Sequence, residues 1–202
     1  VNPDENTPPT EQTKFKILYD QKHLYIAILA LDSAPETITK RLSRRDGFEG
    51  DRVNILIDSY HDLRTAFLFT VTAAGVRGDE LITENGQDID DSWNPIWSNK
   101  AQIISKGWSA ELKIPLSQLR FGDDQEQIWG LNVTRNLFRE NELSAWDRIP
   151  VGSAGWVSEA GELIGIKNIK PQKQLEIQPF TVAQLQTYEA EQGNPYRDGR
   201  DY

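Results

Sequence analysis

The feature that most limits what this chain can fold into is a two-residue rhythm of apolar side chains, repeated along its length with no window of sustained 3.6 periodicity. In "RVNILID", Val53, Ile55 and Ile57 fall on one side and Asn54, Leu56 and Asp58 on the other. In "TAFLFTVTAAG", Phe67, Phe69 and Val71 share a face, and in "GWSAELKIP" Trp108, Ala110, Leu112 and Ile114 do. A chain that alternates in this way turns one face of an extended strand toward a core. Polar turns such as "SYHDLR", Lys106-Gly107 and "GDDQEQ" separate the runs. Strands joined by turns, with no helices between them, predict an all-β protein: an antiparallel β-sandwich of jelly-roll or immunoglobulin-like kind with very little helix.

The remaining segments fill in the sandwich. "KFKILYD" and "LYIAILALD" read as a hairpin whose second strand, apolar on both faces, belongs in the middle of its sheet. "WSNKAQIIS", "IWGLNVTRNLF" and "GELIGIKNI" read as further strands, and "RGDELITENGQDIDDSWNP" as a polar loop. After Pro115, the spacing of Leu116, Leu119 and Phe121 fits one tight turn laid on an apolar surface. Residues 1–13 hold three prolines and no large apolar side chain after Val1, so they read as a disordered linker. Residues 14–170 form the predicted sandwich, and residues 171–202 the connection into a following domain.

Charge and composition narrow the function. Against 31 Asp and Glu stand 22 Lys and Arg, a net charge of -9, which opposes a phosphate-neutralising surface and argues against nucleic acid as a partner. Cysteine is absent, so no disulfide framework and no thiolate chemistry is available. The chain contains no Gly-x-Ser-x-Gly, His-Glu-x-x-His or Walker sequence, and its two histidines, His23 and His61, both fall in predicted turns. Glycoside hydrolysis needs a pair of carboxylates at a set separation, and no local pattern marks such a pair. The expectation is a binding domain, not an enzyme.

Five phrases, in order, resemble one family. "ILYDQKHLYIAILALD", "RRDGFEGDRVNILIDSYHDLRTAFLFTVTAAGVRGD", "WSAELKIPLSQLRF", "WGLNVTRNLFRENELSAW" and "GELIGI" are similar to family 9 carbohydrate-binding modules. Within that family the likeness is to the branch at the N-terminus of large bacterial surface proteins that end in an outer-membrane-like barrel of unknown function. The resemblance implies a polysaccharide or oligosaccharide ligand and a place in the bacterial cell envelope or outside the cell. It also admits a second role, as a domain that caps or plugs the C-terminal barrel of the same protein without a small ligand. The family's first strand, introduced by an Asp-Gly and Trp phrase, has no counterpart here. A related group of sandwiches holds haem through a Met and a His, and this chain, with no methionine, is not expected to bind haem.

Family members hold a sugar between aromatic faces, with charged and amide groups at its hydroxyls, as the apolar faces and polar edges of a pyranose require. By that correspondence Phe48 and Trp156 are the candidate aromatics. Thr70 stands where the family has an arginine, and Arg45, Asp46 and Arg135 are the candidates to replace it. Arg135 shares a period-two face with Trp129, Leu131 and Val133, so either it serves the ligand or it is buried against Asp46 or Glu142. Of the six tryptophans, Trp108 and Trp129 belong on core faces. Trp97 and Trp146, at strand or loop ends, join the ligand candidates, and Trp93 is undecided. Asp88, Asp90 and Asp91 are the candidate calcium ligands, set against a plain solvated acidic loop.

Overall fold

The computed structural model describes residues 1–150, 152–171, 179–183 and 189–194. Two antiparallel sheets face each other. The smaller holds β1 (Thr13–Tyr19), β2 (His23–Leu31), β7 (Ser98–Ile104) and β8 (Gly107–Pro115) in the order β1-β2-β8-β7. The larger holds β3 (Arg52–Asp58), β4 (Ala66–Thr72), β5 (Arg77–Thr83), β6 (Asp88–Asp90), β9 (Glu126–Leu137) and β10 (Glu142–Ala145) in the order β10-β9-β3-β4-β5-β6. The last strand, β11 (Gly161–Lys167), also pairs with β9, beyond the stretch that β10 occupies. The four short 3-10 turns are the only helical elements among the described residues.

The alternation drives the packing. Val53, Ile55, Ile57, Phe67, Phe69, Val71, Leu112 and Ile114 are all buried between the sheets, as their spacing predicts. Trp108 and Trp129 are fully buried there. Each removes roughly 150–250 Å² from water, worth about 4–6 kcal/mol as an upper bound. The turn after Pro115 is a 3-10 turn over Leu116–Gln118. It lays Leu116, Leu119 and Phe121 on the core, with the Phe121 ring 5.5 Å from that of Trp129.

Three segments depart from expectation. "RGDELITENGQDIDD" is not a loop: it supplies β5 and β6. Its alternation is masked because the inward position next to Leu81 is a charged residue, Asp79, fully buried and ion-paired. Residues 1–13 read as a disordered linker, yet Thr13 begins β1 and the residues before it are tied to the larger sheet. Asn2 bridges Leu143, Thr10 donates from its N–H and hydroxyl to Glu142, and Glu5 pairs with Arg148 at 2.9 Å. Polar side chains and backbone here do what a missing apolar core cannot. Finally, β2 lies between β1 and β8 as expected, yet only one of its faces is covered: Leu24, Ile26, Ile28 and Ala30 are buried, whereas Ala27 on the opposite face is exposed. The connection expected over 171–202 lies outside the described residues except for 171, 179–183 and 189–194.

Candidate functional site

Because a strand's side chains alternate, the larger sheet has an outer face built from the residues between its core positions. The registers of β5, β4, β3 and β9 set Gly78, Thr70, Asn54 and Thr134 in one row and Glu80, Leu68, Leu56 and Asn132 in the next. In the first row a chain of hydrogen bonds crosses three strands. Thr70 Oγ1 donates to Asn54 Oδ1 at 2.9 Å, and Asn54 Nδ2 donates to Thr134 Oγ1 at 2.9 Å. Thr70 thus belongs to a neutral polar floor in which each group orients the next. Beyond Thr134 the floor opens into a cavity of about 510 Å³ walled by residues 1–3 and 5–8 together with Leu143 and Ala145.

Both candidate aromatics stand on this face. Phe48 lies over Gly78, where a Cβ would stand 2.5 Å from Phe48 Cε1 and closer still to Cζ. Trp156 lies against Gly86, with its indole N–H donating to the Gly86 carbonyl at 3.3 Å and its ring packed on a small cluster of Leu56, Ala66, Ile82 and Val157. The glycines are what admit the rings. The two rings occupy opposite ends of β5 and do not face each other: Gly78 and Ile82 are four residues apart, roughly 13 Å along a strand. Between them lies Glu80, half-buried and without a hydrogen-bond partner among the described residues.

The loop that carries Phe48 is held against the part of β5, Arg77 to Asp79, that β6 does not pair with. Asp46 takes a left-handed backbone conformation, donates its N–H to Arg77 O, and accepts the Asp79 N–H on its carboxylate at 3.1 Å. Asp46 therefore sits beside Phe48 at the rim. Burial raises the pKa of Glu80, and the nearby charges of Asp46 and Asp91 raise it further, with Arg52 opposing. Arg52, on the same face of β3, sets its guanidinium 5.5 Å from the centre of the Phe48 ring. Neither Arg52 nor Glu80 was among the candidates from sequence. Arg52 was legible in the alternation of "RVNILID", but Glu80 lay in a segment read as a loop.

Arg45, Trp97 and Arg135 do not gather here. Arg45 turns inward and holds Asp79 with bonds of 2.6 and 2.8 Å, while donating also to Pro95 O. Trp97 is buried beside it, its indole N–H donating to the same Asp79 at 2.8 Å. Burial raises the Asp79 pKa, and the bonds from Trp97 and Arg45 work against that rise. Arg135 is buried, as its face predicts, but its partners are neither Asp46 nor Glu142. It donates to Leu31 O at 2.7 Å and stands 3.6 Å from Asp32, which Arg139 grips at 2.6 Å. These inward cations are held by buried carboxylates that would otherwise lie uncompensated. Trp146, half-exposed and edge-on to Phe15 at 5.6 Å, lines the cavity that opens beyond Thr134. Trp93 packs on Phe67 at 4.9 Å.

The aspartates of β6 do not converge. Asp88 accepts from Thr83 Oγ1 at 2.9 Å, and Asp90 accepts from the Ser92 N–H and hydroxyl, which lower its pKa. Among the described residues no three His, Asp or Glu side chains gather as a metal site.

Two facing antiparallel sheets, one of them with rings laid over its outer face, define a β-sandwich of the carbohydrate-binding-module class. The chain belongs to the carbohydrate family 9 binding domain-like family, which matches residues 3–147. That match includes most of the N-terminal segment read as a linker. Among solved structures the chain is similar to a candidate carbohydrate-binding protein from Bacteroides uniformis, with a TM-score of 0.65 at 12% identity over 79% of this chain and 81% of that one. It is also similar to a family 9 carbohydrate-binding module from Caldicellulosiruptor kristjanssonii in complex with cellotriose, with a TM-score of 0.55 at 19% identity over 88% and 84% of the two chains. A family 9 module from the same organism in complex with glucose gives 0.56 at 18% identity over 86% and 84%. At these identities the likeness shows the fold. No protein of curated function matches the sequence.

Proposed function

We propose that this domain binds a neutral oligosaccharide along the outer face of its larger sheet, without catalysis. The observation that carries the reading is the placement of Phe48 and Trp156 over two glycines at opposite ends of one strand, on one face, with a polar floor between them. Apolar sugar faces lie on rings, and sugar hydroxyls need donors and acceptors. Here Glu80 and Arg52 supply charged partners and the Thr70, Asn54 and Thr134 chain supplies oriented neutral ones. The separation of the rings suits successive sugars of a chain better than a single sugar held between facing planes. The family 9 modules of Caldicellulosiruptor kristjanssonii, one with cellotriose and one with glucose, support a glucan as the first ligand to try. Such a ligand is met outside the cytoplasm, so the reading places the domain in the cell envelope or beyond it.

Titration with cello- and xylo-oligosaccharides of increasing length, followed by tryptophan fluorescence, tests this. Affinity is expected to rise from monosaccharide to trisaccharide, and Trp156→Ala is expected to abolish the response in a domain that still melts cooperatively. No response to any of these sugars at millimolar concentration would overturn the reading.

A further inference from the structure

The outer face of the smaller sheet is uncovered, and its residues do not resemble an ordinary solvated face. Registers place Lys16, Ala27, Glu111 and Lys100 in one row across the four strands, and Leu18, Tyr25, Lys113 and Ser98 in the next. A cavity of about 520 Å³ lies over these rows. Its floor is apolar and open: Ala27 is exposed, Leu18 is 70% exposed, and the Tyr25 ring is pinned by its hydroxyl, which donates to Asp20 at 2.9 Å.

The charges here are unspent. Among the described residues the only lysine in an ion pair is Lys167, so Lys16, Lys100 and Lys113 all present free ammonium groups, and neighbouring Glu111 neutralises none of them. A chain of net charge -9 has kept four lysines, Lys14 with Lys16, Lys100 and Lys113, and one glutamate on the strands of this one face. Protection of sheet edges explains lysines on β1 and β7, where Lys16 and Lys100 lie. It does not explain Lys113, which is on the interior strand β8 with its Nζ 5.9 Å from the Tyr25 ring centre.

We propose that this face is a second binding surface and that its occupant is a carboxylated polysaccharide, a chain of uronic acids. Lys16 and Lys100 end a row three strand spacings wide, roughly 14 Å, with Ala27 and Glu111 between them and the apolar surfaces of Leu18 and Tyr25 in the adjoining row. An anionic sugar chain has that form: apolar ring faces for the floor and separated charges for the ammonium groups. One charge per sugar suits isolated lysines. A densely sulfated or phosphorylated chain calls for clustered arginine forks, and the strands of this face carry no arginine. The surface lies on the opposite side of the sandwich from the Phe48 and Trp156 face, and the proposal does not depend on sugar binding there.

Affinity electrophoresis through gels containing polygalacturonate, dextran sulfate or no polymer tests it. The domain is expected to be retarded by polygalacturonate, with retardation lost in about 0.5 M salt as screening shortens to a few ångströms. The triple variant Lys16→Gln, Lys100→Gln, Lys113→Gln should weaken that binding roughly tenfold, three exposed charges each contributing a modest amount. Trp156→Ala should bind polygalacturonate as the parent does. Absence of retardation, unchanged binding by the triple variant, or loss of binding on Trp156→Ala would each overturn the proposal. Stronger retardation by dextran sulfate would overturn the assignment to uronates.

Discussion

Gly78→Ala is the substitution that separates a ring placed for ligand from a ring placed for packing. Gly78 is in a strand with ordinary backbone angles, so alanine meets no conformational strain there. Its Cβ would stand 2.5 Å from Phe48 Cε1 and nearer to Cζ, and 3.1 Å from Asp46 Oδ1. Carbon atoms settle at about 3.5–4.0 Å, so the ring must retreat by at least roughly 1–1.5 Å. Phe48 is at the rim, and its far end can swing outward. The stability change is therefore small: a gain of about 0.4–1 kcal/mol from a less flexible unfolded chain, against an overpacking cost of about 1–3 kcal/mol that a mobile ring reduces. Urea melts should show a loss of no more than about 1.5 kcal/mol. Oligosaccharide affinity, measured by calorimetry, should fall about tenfold, the equivalent of roughly 1.4 kcal/mol of lost stacking. The double variant Gly78→Ala, Phe48→Ala should bind no worse than Phe48→Ala alone, because both changes act through the same ring. Undiminished affinity in Gly78→Ala, or additive losses in the double variant, would refute the placement of the ligand over Phe48.

Glu80→Gln should stabilise the domain at neutral pH by less than about 1 kcal/mol. The wild-type carboxyl has a raised pKa, so its favourable share of stability is complete below the ordinary carboxylate pKa and is lost as pH rises through the raised value. The advantage of the variant, read from thermal melts across pH, should accordingly shrink to nothing in acid. Arg139→Met should cost about 3 kcal/mol, because it leaves the Asp32 carboxylate buried with Arg135, 3.6 Å away, as its one nearby cation and the Ala34 N–H as its hydrogen bond. Burial alone would raise the Asp32 pKa, but the Arg139 bond, the Ala34 N–H and the arginine charges outweigh it and hold it low. Its stabilisation is therefore present above the ordinary carboxylate pKa and lost as pH falls through the lowered one, so the deficit of the variant should narrow at low pH. A chelator should leave the melting temperature unchanged, since Asp88, Asp90 and Asp91 do not gather around a common point among the described residues. A fall of several degrees would instead call for a bound cation.

The sandwich was legible because its core obeys period two nearly without exception, and the placement of Phe48 and Trp156 on one face could be seen only once β5 and its glycines were in place. What the sequence hid is electrostatic. Asp79 on an inward position of β5 broke the alternation that marks a strand, and with that strand went Glu80. Arg45 read as a ligand group because a charged residue near a candidate site invites that role, and the fold turns it to Asp79 instead; for Arg135 burial against a carboxylate was one of two readings, and the fold supplies the partner, Asp32. Trp97 follows the same logic, its N–H completing the shell of Asp79. The N-terminal segment was unreadable for a different reason: its order comes from hydrogen bonds to Leu143 and Glu142, more than 130 residues away in the chain.

The most direct test is a proton–nitrogen NMR titration of the domain with cellotriose, reading the tryptophan indole and asparagine side-chain amide signals. Binding along the outer face of the larger sheet predicts that the Trp156 indole and the Asn54 amide shift together, while the buried indoles of Trp97, Trp108 and Trp129 stay in place. Shifts confined to residues of the smaller sheet, or to the rim around Trp146, would contradict that placement.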